Sequence, residues 1–364
     1  MKKFLIKEPV LFVFLVLFIV LFILFPCKVK KYPMYIDYKT VFSLAGLLII
    51  TKGIGESGFF SRISHKVLRK VRTERSLAFI LVTLSVFLSP FLTNDIALFI
   101  VVPLTLSFKR FFKNEIYKLV IFEAMGVNVG SMLTPIGNPQ NIFIWHRYDV
   151  PFLSFIYNIF PSFLVSFLIL IVFLILFFKN KNLEIVENTS DIRVDSKLLF
   201  ISIFSLILFV ISSEFNFLYP SLLLIFVVYI LFYKKIIKSV DWLLLLIFVL
   251  IFIDFGVLSE IPFFRNIMIK INLNKESNLY FLSILTSQIM SNVPSTVFIS
   301  RFSNNWRIIC IGVNIGGNGL VIASLANIIA LRISKDKKAW VRFHLFSIPY
   351  LVISSIIVYL LFIH

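Results

Sequence analysis

The chain has 364 residues, 59% of them hydrophobic, and a mean hydropathy of +0.98, well above the roughly 45–50% apolar content of soluble domains. Its formal charge of +18 would suggest nucleic acid as a partner in a soluble protein, but here Lys and Arg sit in short connections between apolar runs and report on topology. The runs are about 20 residues long and apolar all round, which fits helices that cross a bilayer and excludes a membrane β-barrel.

At the N-terminus, Lys2 and Lys3 precede an apolar stretch from Pro9 to Phe25. Phe25 and Pro26 before Cys27 are not the small residues of a cleavage or lipidation site, so this stretch is expected as a retained first helix. Further apolar segments fall at about 40 to 55, 76 to 108, 115 to 146, 152 to 178, 197 to 213, 217 to 233, 240 to 258, 278 to 301, 306 to 333 and 341 to 362. Four of them are interrupted by polar or helix-breaking residues: Thr93-Asn94-Asp95, Thr134 through Asn141, Ser291-Asn292 followed by Pro294, and Gly316 through Gly319.

The charged interval from Lys179 to Lys197, with Glu184, Glu187, Asp191 and Asp195, is too polar for hydrocarbon and divides the chain near its middle. Across it the sequence repeats. Residues 127–142 align without a gap on residues 313–328, with six of sixteen positions identical, including Asn128 with Asn314 and Asn141 with Asn327. Upstream of each copy lies an Asn at a hairpin tip, Asn94 or Asn292, and further upstream an Asp-aromatic pair, Asp37-Tyr38 or Asp241-Trp242. The shared order of three landmarks points to an internal duplication.

If segments 76 to 108 and 278 to 301 enter and leave on one side, nine crossings remain and the two copies run in opposite directions. Of the 36 Lys and Arg residues, 26 then fall on the side of the N-terminus and 10 on the other. The positive-inside rule places the N-terminus in the cytoplasm and the C-terminus outside. The expected organisation is an all-α integral membrane protein of two inverted repeats, 1–178 and 197–364, joined by a cytoplasmic linker at 179–196. About nine crossings, two re-entrant hairpins and two broken helices make it up.

Backbone that leaves helical geometry at membrane depth must be buried in protein or line a wet cavity, so the four interruptions mark a site. Pro135, Gly137 and Pro139 are expected to unwind Thr134 to Gln140, and Gly316, Gly317 and Gly319 to unwind the second copy. Close helix packing is the other use of membrane glycines. Asn138, Gln140, Asn141, Asn318 and Asn327 weigh towards a site, since amides need partners in hydrocarbon. Half-helix N-termini attract anions and unwound carbonyls suit Na⁺. Asp95 has two readings, a titrating or cation-binding group or the cap of a helix starting at Ile96. Glu123 and Asp254 also lie within apolar segments and have the same two kinds of reading, an ionisable functional group at membrane depth, ranked below Asp95, or a residue with a structural partner between helices, and His344 is expected at the interface. Cys27 and Cys310 are too few for a thiol framework.

Leu92 to Phe99 (LTNDIALF), Leu133 to Asn141 (LTPIGNPQN) and Ser291 to Thr296 (SNVPST) resemble the ion transporter superfamily. That group includes citrate-type carriers, divalent anion:sodium symporters, arsenite permeases and one class of Na⁺/H⁺ antiporters. The likeness is strongest to the YbiR-like inner-membrane permeases of the citrate transporter (CitM) branch and runs over nearly the whole chain. It implies an elevator-type secondary transporter of a small anion, a carboxylate or an inorganic oxyanion, with Na⁺ or H⁺ as coupling ion and no other cofactor.

By resemblance, Thr93, Asn94, Ser291 and Asn292 bind substrate at the hairpin tips, and Thr134, Gly137, Asn138, Asn141, Gly317, Asn318 and Asn327 line the unwound helices. Asp95, Asn94, Asn141, Asn292 and Asn327 are the implied coupling-ion positions, and the same positions would hold Na⁺. The tip pattern departs from the dicarboxylate members, which carry Thr where this chain has Asp95 and Val293. The arsenite and antiporter members carry Asp where it has Thr93 and Ser291. Those two activities are the alternatives, and a membrane enzyme or structural protein is the alternative of another class. It has little in its favour: no nucleophile with a base and no metal-ligand cluster shares one depth. The expected partners are the lipid bilayer, the small anion and, as an oligomeric option, a second copy in a homodimer.

Overall fold

A computed structural model of the protein describes residues 9–60, 62, 72–108, 116–182 and 193–363. These residues form α1 (Pro9–Leu24), α2 (Tyr32–Tyr35), α3 (Tyr38–Glu56), α4 (Glu74–Leu88), α5 (Asn94–Ser107) and α6 (Ile116–Ser131). They continue with α7 (Pro139–Arg147), α8 (Phe152–Phe177), α9 (Ser196–Glu214), α10 (Leu218–Phe232), α11 (Lys234–Ser239) and α12 (Trp242–Ser259). The rest are α13 (Pro262–Ile271), α14 (Glu276–Met290), α15 (Asn292–Ile299), α16 (Trp306–Gly316), α17 (Leu325–Ser334) and α18 (Lys337–Phe362). The fold is all α, and pairing of strand type among the described residues is limited to one isolated bridge, Thr73 with Asn182.

Four helices, α8, α9, α12 and α18, are long and apolar enough to cross a membrane, and the bent α1–α2 unit makes a fifth if it is one span. Length and composition therefore give fewer crossings than the nine expected from the sequence. The reason is physical: α10, α16 and α17 are apolar but have 10–17 residues each, and α6–α7 and α16–α17 are interrupted. Large apolar side chains such as Leu153, Tyr157, Leu176, Phe200, Leu223, Phe232 and Leu360 face outward. In water such a surface would drive association; in a bilayer it meets lipid.

Helix starts follow the sequence closely. Asp37 and Asp241 cap α3 and α12 by accepting from the Thr40 and Leu243 backbone N–H groups at 2.9 and 3.2 Å. At the other ends, Glu56 pairs within its own helix with Lys52 at 3.0 Å, whereas Glu260 follows α12 and holds Lys28 and Lys31 at 2.5 and 3.1 Å. Burial raises the Glu260 pKa, but hydrogen bonds from Lys28, Lys31 and Tyr35 outweigh it and bring the value down to about 2.

Four glycines set two close helix pairs. A Cβ on Gly126 or Gly130 of α6 would meet the Val82 or Val86 carbonyl of α4, and one on Gly312 or Gly316 of α16 would meet Ser283 or Ser287 of α14. Gly316 thus serves packing at the last residue of its helix. The long helices α8 and α18, each with an interior proline, Pro161 and Pro349, pack on each other, and the Tyr350 hydroxyl of α18 donates to the Ser166 carbonyl of α8 at 2.7 Å.

The structure places the breaks with small shifts from expectation. The first unwound segment is 132–138 rather than Thr134 to Gln140, because Pro139 is the first residue of α7 and Asn138 caps it, the position where a missing N–H costs nothing. The second is 317–324, with a short 3-10 turn at Val321–Ala323. Helix α5 begins at Asn94, not at Ile96, so Asp95 lies inside the first turn and is not its cap; its side chain lies outside the described set. Most of the linker, 183–192 with Glu184, Glu187 and Asp191, also lies outside the described residues.

Candidate functional site

The two unwound segments meet at a cluster of buried amides. Asn141 on α7 reaches back across the first break, its Nδ2 donating to the carbonyls of Ser131, Met132 and Thr134 at 3.2, 3.1 and 2.9 Å. Asn327 on α17 does the same in the second, donating to Gly317 and Leu320 at 2.9 and 3.3 Å. These amides replace the helical donors that the breaks removed, as buried backbone carbonyls require.

The two breaks are then cross-linked. Asn128 on α6 donates to the Asn327 Oδ1 at 2.8 Å, and Asn314 on α16 donates to the Asn141 Oδ1 at 2.8 Å. The N-cap residues join in: Asn138 donates to the Asn314 Oδ1 and Ser324 to the Asn128 Oδ1, both at 2.9 Å. Each of these four cross-links has its counterpart in the other half at the register of the sequence repeat, 127–142 against 313–328. Asn128 and Asn314 were visible in that repeat but not expected in the site, since one amide in an apolar helix carries no sign of its partner.

The hairpins close on the same segments. The Thr134 hydroxyl donates to the Pro90 carbonyl at 2.6 Å, fixing the first break to the turn between α4 and α5. Gln288 on α14 donates to the Gly316 carbonyl and accepts from the Leu320 N–H, both at 2.8 Å, fixing the second. A Cβ on Gly317 would stand 3.1 Å from the Asn292 Nδ2, so the second tip lies directly on the unwound backbone. Gly137 is held as closely, against the Ser131 carbonyl. Each hairpin also packs on the other half, α5 on α17 and α15 on α7.

Thr93, Asn94, Thr134, Gly137, Asn138, Asn141, Asn292, Gly317, Asn318 and Asn327 are all buried, and Ser291 is half-buried. They divide into two groups. Asn138, Asn141 and Asn327 have their amides engaged within the protein. In contrast, Thr93 Oγ1, Asn94 Oδ1 and Asn318 Oδ1 are buried without a hydrogen-bond partner. The Ser291 hydroxyl makes only long contacts, 3.5 Å to Asn292 and 3.4 Å to the Ala323 carbonyl, and the φ of 76° with ψ of 157° at this residue is a conformation that L residues occupy under strain.

Ion pairs between described residues, Lys28–Glu260, Lys31–Glu260, Lys39–Asp149 and Lys52–Glu56, lie away from this cluster. Among the described side chains, the cluster is built of neutral dipoles and helix ends. Of the other polar residues singled out, Glu123 accepts from Thr105, both Asp254 oxygens lack a partner, and His344 Nε2 accepts from the Val321 N–H at 3.3 Å. His344 thus touches the second unwound segment rather than standing apart from it. Buried His146, unmarked in the sequence, bonds Ser43 at 2.7 Å and ties α7 to α3.

The sequence profile of the citrate transporter family matches residues 4–305. Inner membrane protein YbiR of Escherichia coli is 38% identical over 336 residues, covering 92% of this chain and 90% of that one. The uncharacterized transporter MJ0456 of Methanocaldococcus jannaschii is 38% identical over 317 residues, 85% of this chain and 84% of its own. The P protein of Mus musculus is 27% identical over 172 residues, 44% of this chain and 21% of its own. With the profile spanning most of the sequence and two relatives matched nearly end to end, the chain belongs to the citrate transporter family, a family of membrane transporters rather than enzymes.

Proposed function

We propose that the protein is a secondary active transporter that moves a small anion, a carboxylate or an inorganic oxyanion, across the inner (cytoplasmic) membrane, coupled to Na⁺ or H⁺. The name of its relative YbiR supports the location. In this reading 1–178 and 197–364 are inverted repeats around a cytoplasmic linker at 179–196, with the N-terminus inside and the C-terminus outside. The reciprocal amide bonds between the two breaks support the duplication, because descent from one ancestral unit predicts paired contacts at one register.

The observation that carries the site is the set of buried oxygens without partners at Thr93, Asn94 and Asn318. Native interiors satisfy nearly all such atoms, and each orphan costs about 1–3 kcal/mol. They are acceptors in a water-poor setting, which suits a bare cation and the donors that accompany it. The N-termini of α5, α7, α15 and α17 supply partial positive charge for an anion. Thr93, Asn94, Ser291, Asn292 and Asn318 would thus contact substrate and ion. Thr134, Gly137, Asn138, Asn141, Gly317 and Asn327 would hold the unwound backbone in place for them, and Asp95 stays a candidate for the coupling ion.

Uptake into proteoliposomes tests this. The purified protein is offered citrate, dicarboxylates, sulfate, phosphate and arsenite under separate Na⁺ and pH gradients. Gradient-driven uptake of at least one anion is expected. Uptake of arsenite alone would favour an arsenite permease, and Na⁺ movement against protons without any anion would favour an antiporter; either replaces the reading.

A further inference from the structure

Glu123 is the eighth residue of α6, roughly 10 Å along the helix from its first residue at about 1.5 Å per residue. Its side chain is fully buried. Oε1 accepts a hydrogen bond from the Thr105 hydroxyl of α5, and Oε2 has no partner. Thr105 lies two residues beyond Pro103, a proline inside α5.

The helices packed on α6 are α4, α5, α8, α16, α17 and α18. Their charged groups are Glu74 and Arg75 in the first turn of α4, Asp95 in the first turn of α5, Arg307 in the first turn of α16, Arg332 in the last turn of α17, and Lys337, Lys338, Arg342 and His344 within the first eight residues of α18. Several are engaged elsewhere. Arg75 donates to the Phe178 carbonyl, Arg342 donates to the Tyr117 hydroxyl, and His344 accepts from Val321. The titratable Cys310 on α16 contacts Asn141 and Asn314. No described ion pair reaches Glu123.

A carboxylate buried without a counter-ion is costly, so this geometry accommodates the neutral acid. A purely structural acid would be expected to use both oxygens, because an orphan polar atom carries a penalty. Here one is left open. The two helices that meet at this carboxyl are also the two that carry the first half of the site: α5 starts at the tip residues and α6 ends at the first unwound segment. Ionising Glu123 requires water or a cation between them, so the proton's presence is linked to how closely α5 and α6 are held.

We infer that Glu123 is a proton-binding site of the transporter, with one proton loading on Oε2 when α5 and α6 are closed together and leaving when they part. The proton passes to Oε2 from water and returns to water on release, one O–H bond forming as the other breaks. The inference rests on the transport reading and narrows its coupling ion to H⁺.

Infrared difference spectroscopy of the purified full chain, titrated from about pH 5 to about pH 9 around the ordinary range of perturbed carboxyls, reads the proton directly. A carboxylic-acid C=O band is expected that is absent in Glu123→Gln and disappears reversibly as pH rises. In Thr105→Val, which removes the donor to the carboxylate, the same band should persist to higher pH. In liposomes loaded with citrate as probe, uptake by Glu123→Gln, whatever its rate, should no longer respond to a pH gradient that drives the wild type. A Glu123 band unchanged across the whole titration, or no such band at its acid end, overturns the proposal, as does an intact pH-gradient response in Glu123→Gln. If wild-type protein moves no citrate, the choice of substrate fails, and the infrared titration still decides Glu123.

Discussion

The two hairpins deliver the same side chain, Asn94 and Asn292, by different backbones. The first uses five residues between α4 and α5, and its last, Thr93, has a relaxed φ of −54° and ψ of 154°. The second uses one residue, Ser291, whose φ is 76°. The first tip holds unpartnered oxygens on Thr93 and Asn94, while the second holds strain. One function can be stored as unmet polar atoms in one half and as backbone energy in the other, so a variant at matched positions should not have matched effects.

The amide cross-links give the largest expected difference. Asn314 serves Asn138, Gln140, Asn141 and the Cys310 carbonyl, whereas Asn128 serves Asn327, the Gly317 carbonyl and Ser324. At about 1–3 kcal/mol for each buried group left unpaired, Asn314→Ala should destabilise more than Asn128→Ala. Thermal unfolding in detergent ranks them, and an equal or reversed order would remove the asymmetry.

Next come the packing glycines. A Cβ on Gly130 would stand 2.1 Å from the Val86 carbonyl oxygen, whereas one on Gly316 would stand 2.8 Å from the Ser287 Cβ, so the first demands the larger shift of the facing helix. Gly130→Ala should cost more than about 1–3 kcal/mol, the usual range for overpacking, and Gly316→Ala should fall within it. The same unfolding assay checks the order.

Smaller effects are expected at the tips. Ser291→Gly relieves a strain of about 1–3 kcal/mol against an entropic loss of roughly 0.5–1 kcal/mol, so it should be neutral or stabilising. Thr93→Gly has only the loss. A Ser291→Gly protein clearly less stable than wild type would show that the tip conformation is unstrained.

The smallest difference lies at the ends of α3 and α12. Glu56 pairs only within its helix, and Glu260 bridges to Lys28 and Lys31. Glu260→Gln should cost about 1 kcal/mol or less, and Glu56→Gln nothing measurable. Because the Glu260 pKa falls from 4.5 to about 2, its contribution is fully present above about pH 4.5 and lost as pH falls towards 2. A penalty for Glu260→Gln that grows on acidification would contradict this.

Much of the scaffold was legible because its signals are local. Asp37 and Asp241 announce helix starts, Pro135 and Gly137 announce a break, and hydropathy separates α8 from α9. The site was legible only in part. The offset between the repeats paired Asn141 with Asn327, but the crossing of Asn128 to Asn327 and of Asn314 to Asn141 depends on tertiary contact between segments far apart in sequence. Gln288 reads as an ordinary polar residue near a hairpin tip until Gly316 and Leu320 are placed beside it. The strain at Ser291 has no local signal, since nothing about serine favours positive φ. The start of α5 was misplaced by two residues because Asp is as good a cap as Thr.

The central claim is that both tips serve one substrate, and uptake by Asn94→Ala and Asn292→Ala in proteoliposomes tests it most directly. With the anion that the wild type transports, each variant should lose uptake while remaining monodisperse and folded in the membrane. Unaltered uptake in either one would take that tip out of the site and contradict the account.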